Sequence, residues 1–215
     1  MKQTITLLNG SPRRRSTSGS IIDHLVESLS DDFDIRCHRA GDDTGELIDS
    51  IDGSHLLIVV SPLYWDSIPS DLLNTFKSIS ETDLEGKGMI AIINCGFPEA
   101  YQADTAIEIC RNMAIKSGME WKGGLTIGGG GSIDGRPLST YGPERNAVRA
   151  LDLMCESIIK GEGLTSEAEG LAALPFFPTT LYIIAANHHW RRLARKNGIK
   201  RGLRARPYDG EESRD

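Results

Sequence analysis

Apolar residues along this chain follow two rhythms. Short runs in which nearly every position is apolar, such as ITLL at 5–8, HLLIVVS at 55–61 and GMIAIIN at 88–94, alternate with stretches whose apolar positions recur every three or four residues. Continuous runs bounded by turn residues suit strands buried on both faces, and the second rhythm suits amphipathic helices. The pattern predicts strands over Thr4–Asn9, Phe33–His38, His55–Ser61, Gly88–Asn94 and Glu120–Ile127. It predicts helices over Thr17–Leu29, Ser70–Ile79, Glu99–Ser117 and Glu144–Lys160, with one or two helical turns at Leu47–Ile51. Pro69 is placed for the first turn of its helix. Strands separated by helices in this way build a doubly wound parallel sheet, here a domain reaching about residue 162.

The segment GEGLTSEAEG at 161–170 is small and polar and reads as a linker or exposed loop. Residues 163–215 are expected to form that linker, a C-terminal helix stopped at Asn197-Gly198, and a basic tail whose last residues, YDGEESRD, fray.

Composition narrows the class. At 215 residues, 39% hydrophobic and 25% charged, the chain has the make-up of an ordinary soluble globular domain. Its first residues show no secretory signal, and no apolar stretch approaches the roughly 18 residues of a membrane span. Cys37, Cys95, Cys110 and Cys155 are widely spaced without a CxxC pair, which predicts reduced thiols, a cytoplasmic protein and no zinc or iron–sulfur site. His188 and His189 are adjacent, so on a helix they point in different directions and make no metal pair.

The net charge of −6 conceals an asymmetry, because residues 191–206 carry eight positive and no negative side chains. The rest of the chain is correspondingly acidic, which disfavours nucleic acid as a partner. The basic run reads as a solvated helix face and tail. Contact with a membrane surface beside Leu181–Ala186 is the second reading, and a phosphate group of a small ligand a third.

Parallel sheets of this kind take ligands at the carboxyl ends of their strands, so the chemistry is sought just after each one. The first strand runs into GSPRRRSTS at 10–18, where hydroxyls and arginines precede a helix. Unpaired N–H groups at a helix start favour an anion, and arginine pairs bidentately with phosphate. An ordinary N-cap at Ser16 or Ser18 with solvated arginines is the alternative. No GxGxxG or GxxxxGK[ST] follows the strand, which excludes the dinucleotide fingerprint and the triphosphate loop.

The third strand ends in SPLYWDSIP at 61–69, a proline-stiffened loop with Leu63, Tyr64, Trp65 and Ile68 suited to a flat ring. Capping of the core, or contact with a second subunit, is the other use of such aromatics. The fourth strand ends in NCGFPEA at 94–100, where Gly96 permits close backbone approach. After the fifth strand, GGGGSIDGRPL at 128–138 is either a loop near the ligand or a plain surface loop. An Asp at the third strand's end, needed by a response regulator, is missing, as is the first-loop cysteine of a low-molecular-weight phosphatase.

GSPRRRSTS, SPLYWDSIP and NCGFPE, in this order and spacing, resemble the flavodoxin-like NAD(P)H-dependent FMN reductases over about residues 3–130. The resemblance implies a flavodoxin-like five-stranded sheet in the order 2-1-3-4-5. By the family's pattern Ser11, Arg13, Ser16, Thr17 and Ser18 would hold the FMN phosphate, with Thr17 standing where the family usually has Asn. Pro62, Leu63, Tyr64, Trp65, Ser67, Ile68, Asn94, Cys95 and Gly96 would hold the isoalloxazine.

The activity implied by the resemblance is hydride transfer from NADH or NADPH to FMN, with electron delivery to a flavin, quinone or other small acceptor. No catalytic side chain is assigned, because the cofactor carries the chemistry. A flavodoxin-type electron carrier without nicotinamide turnover is the alternative. The resemblance further implies a homodimer or larger homo-oligomer. The basic tail is expected to be dispensable for flavin binding, since the three motifs lie before residue 100.

Overall fold

The computed structural model describes residues 2–205. Five parallel strands, β1 (Thr4–Asn9), β2 (Asp34–Arg39), β3 (Leu56–Pro62), β4 (Gly88–Asn94) and β5 (Glu120–Ile127), form one sheet in the order β2-β1-β3-β4-β5. This is the flavodoxin-like order. The helices are α1 (Thr17–Leu29), α2 (Thr44–Asp52), α3 (Ser70–Ile79), α4 (Asp104–Lys116), α5 (Arg145–Ile159), α6 (Ser166–Ala172) and α7 (Thr179–Lys196).

The continuous apolar runs have the burial their pattern requires, because side chains alternate between the two faces of a strand. Ile5, Leu7, Ile58, Val60, Ile90 and Ile92 pack with α1, α5 and α6 on one face. Leu8, Leu57, Val59, Met89, Ala91 and Ile93 pack with α2, α3 and α4 on the other. Each of the Leu, Ile, Val and Met side chains among them, fully buried, stabilises the fold by roughly 1.5–3 kcal/mol. Strand β2 is the polar edge of the sheet, half-exposed along its length. Thr6 is a polar residue in the core, where its hydroxyl bonds to those of Ser50 and Ser54.

Cys95, Cys110 and Cys155 are buried and Cys37 is exposed, all four as free thiols. Burial pushes the Cys110 and Cys155 thiols up to about 12, so both stay protonated and inert at neutral pH.

Two expectations change. The segment 161–170 is not all loop, because α6 begins within it. Thr165 caps α6, its hydroxyl accepting from the Ala168 amide, and Ala168 and Ala172 sit one turn apart in the core. The compact unit accordingly extends to Phe176, past the expected boundary at 162. The helix expected from Glu99 instead opens with a 3-10 turn, Ala100–Ala103, before α4 begins.

The second unit starts at Phe177 and contains α7 and a 3-10 turn, Lys200–Arg204. Helix α7 ends at Lys196, and Gly198 takes the left-handed conformation of a helix stop. Leu181, Ile183, Ile184 and Trp190 of α7 are exposed. The expected fraying of YDGEESRD falls outside the described residues. No described helix is long and apolar enough to cross a membrane.

Candidate functional site

Strand β1 delivers the chain into a loop pinned on several sides. The Gly10 amide donates to the Val60 carbonyl at 2.8 Å, and the Ser11 amide donates to Asn9 Oδ1 at 2.9 Å. Position 10 must be glycine, since a Cβ there would lie 2.6 Å from Leu72 Cδ2 and 2.8 Å from Ser61 Oγ. Ser16 is the N-cap of α1, in extended conformation, and its Oγ accepts from the Gly19 amide at 3.1 Å. The first amides of α1 therefore open towards whatever occupies the space above the loop.

That space is a cleft of about 250 Å³ at the carboxyl ends of β1, β3 and β4. Ser11, Arg13, Ser16, Thr17 and Ser18 line one side of it. Pro62, Leu63, Tyr64, Asn94 and Gly96 line the other, together with Gly130 and Gly131 from the loop after β5. The structure thus brings all three strand-end motifs to one place. It also includes the glycine loop, for which the sequence allowed two uses.

The hydroxyls differ in what they can still do. Ser11 Oγ accepts from the Arg13 amide and Ser16 Oγ accepts from the Gly19 amide, so each keeps its own hydrogen to donate. Ser18 Oγ accepts from Asn94 Nδ2 at 2.9 Å and likewise keeps its hydrogen. Thr17 Oγ1 spends its hydrogen on the Gly130 carbonyl at 2.7 Å, which leaves that hydroxyl an acceptor towards the cleft. Arg13 pairs with Asp134 at 2.5 Å, with both side chains largely in water. Such an exposed pair is worth about 1 kcal/mol or less, so an incoming anion competes for Arg13 on easy terms.

Four other candidate residues lie elsewhere. Tyr64 and Ser67 bond reciprocally through their backbones, at 2.8 and 3.0 Å, around a two-residue turn. Trp65 and Asp66 occupy that turn with φ of 49° and 58°, and Trp65 is 100% exposed at its tip. Ile68 is buried against α3 in the core. Cys95 is buried too, with its thiol pushed up mainly by that burial and donating to the Phe97 carbonyl.

The turn is built on positions that normally require Asn or Gly, because left-handed backbone costs an L-residue about 1–2 kcal/mol. Asp66→Gly should therefore raise stability by about 1 kcal/mol, read as a higher urea midpoint at unchanged slope. An unchanged or lowered midpoint would show that Asp66 is held there by something other than the turn.

Residues 3–106 match the family model of the NADPH-dependent FMN reductases. This part of the chain is similar to that family. The match supports, in coarse terms, an FMN-associated oxidoreductase. Solved structures with the same fold agree with the architecture. An apo NADH:FMN oxidoreductase aligns at 16% identity over 82% of this chain and 97% of its own, with a TM-score of 0.57. A Fusobacterium nucleatum flavodoxin bound to flavin mononucleotide aligns at 17% identity over 75% and 99%, with a TM-score of 0.54. A Streptococcus pneumonia TIGR4 flavodoxin aligns at 13% identity over 74% and 99%, with a TM-score of 0.55. At these identities the likeness is one of fold. No curated protein matches the sequence significantly.

The FMN-reductase motifs account for most of the cleft but not all of it. Gly130, Gly131 and Asp134 come from the loop beyond the matched segment. Arg39, at the end of β2, donates from Nη1 to the Ser11 carbonyl at 2.7 Å and the Arg13 carbonyl at 3.1 Å. No motif marked Arg39, and a lone arginine ending a strand carries no signal of its own.

Proposed function

We propose that this cleft binds FMN and that the protein is an oxidoreductase using NADH or NADPH to reduce a small acceptor such as a quinone or a second flavin. The observation that carries this reading is the division of the cleft into two chemically different ends. One end offers donors to an anion: the start of α1, the free hydroxyl hydrogens of Ser11, Ser16 and Ser18, and the Arg13 guanidinium. The other end offers stiff backbone and the Tyr64 ring beside glycines that leave its floor open. A Cβ built at Gly96 would meet no atom within 4 Å, and one at Gly131 would meet only the Gly96 Cα at 4.0 Å. A flat ring carried on a phosphorylated chain fits that division.

When bound, FMN supplies the redox chemistry, accepting hydride from the nicotinamide and releasing electrons to the acceptor. The protein's part is binding and orientation. The donors around α1 fix the phosphate, and the loops after β3 and β4 confine the ring. Asn94 couples the two ends, since its Nδ2 donates both to Ser18 Oγ and to the Ser61 carbonyl at 3.0 Å. A homo-oligomer fits the apolar side chains that α7 leaves exposed.

The test is equilibrium titration of the apoprotein with FMN and with riboflavin. Losing two or three charge-assisted hydrogen bonds should weaken riboflavin at least about a hundredfold. Equal affinities would remove the phosphate site and the reading with it. With FMN bound, oxidation of NADH or NADPH in the presence of excess quinone separates a reductase from a one-electron carrier. A carrier would show no turnover.

A further inference from the structure

We propose that Arg39 is a positioning residue that sets the shape of the loop at 10–15 and so the preference for a phosphorylated over an unphosphorylated flavin. The inference rests on the FMN reading above. Arg39 is the last residue of β2 and pairs in register with Asn9, the last residue of β1. From there its side chain reaches the loop after the neighbouring strand, and a single nitrogen, Nη1, binds the carbonyls of Ser11 and Arg13. Among the described residues no Asp or Glu forms an ion pair with it, and the hydrogen bonds of its Nη1 go to these two backbone oxygens.

The consequence follows from peptide geometry. No peptide bond here is cis, and in a planar trans peptide the C=O and N–H point in opposite directions. Holding the Arg13 carbonyl on Arg39 therefore turns the Arg14 N–H away from Arg39. The Ser11 carbonyl is held the same way, although Pro12 adds no N–H to its peptide. A loop that binds an anion must aim donors at it and keep carbonyl oxygens off it. Without Arg39 both carbonyls would be free to rotate, and either one facing the cleft would present negative partial charge to the phosphate. Charged donors hold carbonyls more firmly than neutral ones, which is why an arginine suits this task.

The role separates cleanly from catalysis and from bulk stability, because riboflavin lacks the group on which it acts. Affinities for FMN and riboflavin should be measured on full-length wild type, Arg39→Ala, Arg39→Gln and Arg39→Lys, with thermal unfolding of each as a check on folding. In Arg39→Ala the FMN dissociation constant should rise about tenfold, while that for riboflavin stays within about twofold. Arg39→Lys and Arg39→Gln should both recover much of the loss, since each still offers N–H donors to the two carbonyls.

Three results would overturn the proposal. Equal weakening of both flavins would make Arg39 a general structural residue. Failure of Gln to rescue while Lys does would reduce its role to charge alone. An Arg39→Ala protein with undiminished FMN affinity would leave it no role in the loop. If wild type itself fails to prefer FMN, the phosphate reading fails first, before any substitution is compared.

Discussion

Arg136→Ala should destabilise the protein by roughly 3 kcal/mol, the lower end of what breaking a buried ion pair costs. Glu144 is 0% exposed at the start of α5, and Arg136 grips both of its oxygens, at 2.5 and 2.9 Å. The Ser139 amide also donates to that carboxylate, at 3.2 Å. Gly142 makes the burial feasible, because a Cβ there would lie 2.5 Å from Glu144 Oε2. Removing the guanidinium strands a charge in the interior. The lower end of the range applies because Arg136 keeps 36% of its side chain in water.

The pair also predicts a pH dependence. The hydrogen bonds from Arg136 hold the Glu144 carboxyl below its ordinary value, against the upward push of burial. Folding then favours the ionised form. The stability this contributes is fully present above the ordinary carboxyl range near 4.3, and is lost as pH falls through the depressed folded-state value. In Arg136→Ala the largest opposition to burial is gone and only backbone donors such as the Ser139 amide remain, so that acid-side loss should shrink. Urea unfolding between pH 3 and 7 reads both effects. An Arg136→Ala protein as stable as wild type at pH 7, with the same acid limb, would refute the account.

A second large effect is expected at Gly128. A Cβ there would collide with the Pro98 carbonyl oxygen and lie 2.8 Å from the Pro98 carbonyl carbon, both backbone atoms that cannot swing aside. The loops after β4 and β5 are zipped together at this point, since the Gly129 amide donates to the Phe97 carbonyl and the Gly130 amide to the Cys95 carbonyl. Gly128→Ala must push the two loops apart, at a cost of about 3 kcal/mol, the upper end for overpacking. The separation opens the floor of the cleft, so FMN affinity should fall with stability. Gly163→Ala is the control. Its Cβ would meet nothing within 4 Å, and a change within about 0.5 kcal/mol is expected. If the two substitutions behave alike, the close approach at Pro98 is not a constraint.

Much of this fold is written plainly in the chain. The runs at 5–8, 55–61 and 88–94 become inner strands because a strand covered by helices on both faces buries nearly every position of a short apolar segment. The motifs at their ends converge because a parallel sheet puts all its carboxyl ends on one edge. The features that stayed hidden did so for equally physical reasons. The fully buried residues of helix α6 are alanines, too small to stand out in an apolar pattern. The glycine loop after β5 folds back over α1 through single contacts, Thr17 to Gly130 and Arg13 to Asp134, that leave no periodic trace. Spacing also could not show that Ile68 turns into the core while Trp65 stands clear of it, because the reversal between them depends on left-handed backbone at two residues that rarely adopt it.

The bonds from Thr17 to Gly130 and from Asn94 to Ser18 have a thermodynamic consequence. They tie the anion end of the cleft to the ring end, so neither can be ordered without partly ordering the other. A ligand fragment seated at one end prepays some of the entropy of binding at the other, and linkage makes that help reciprocal. Free phosphate and riboflavin, as separate molecules, would accordingly bind this cleft with positive cooperativity, each raising the affinity for the other by the same factor.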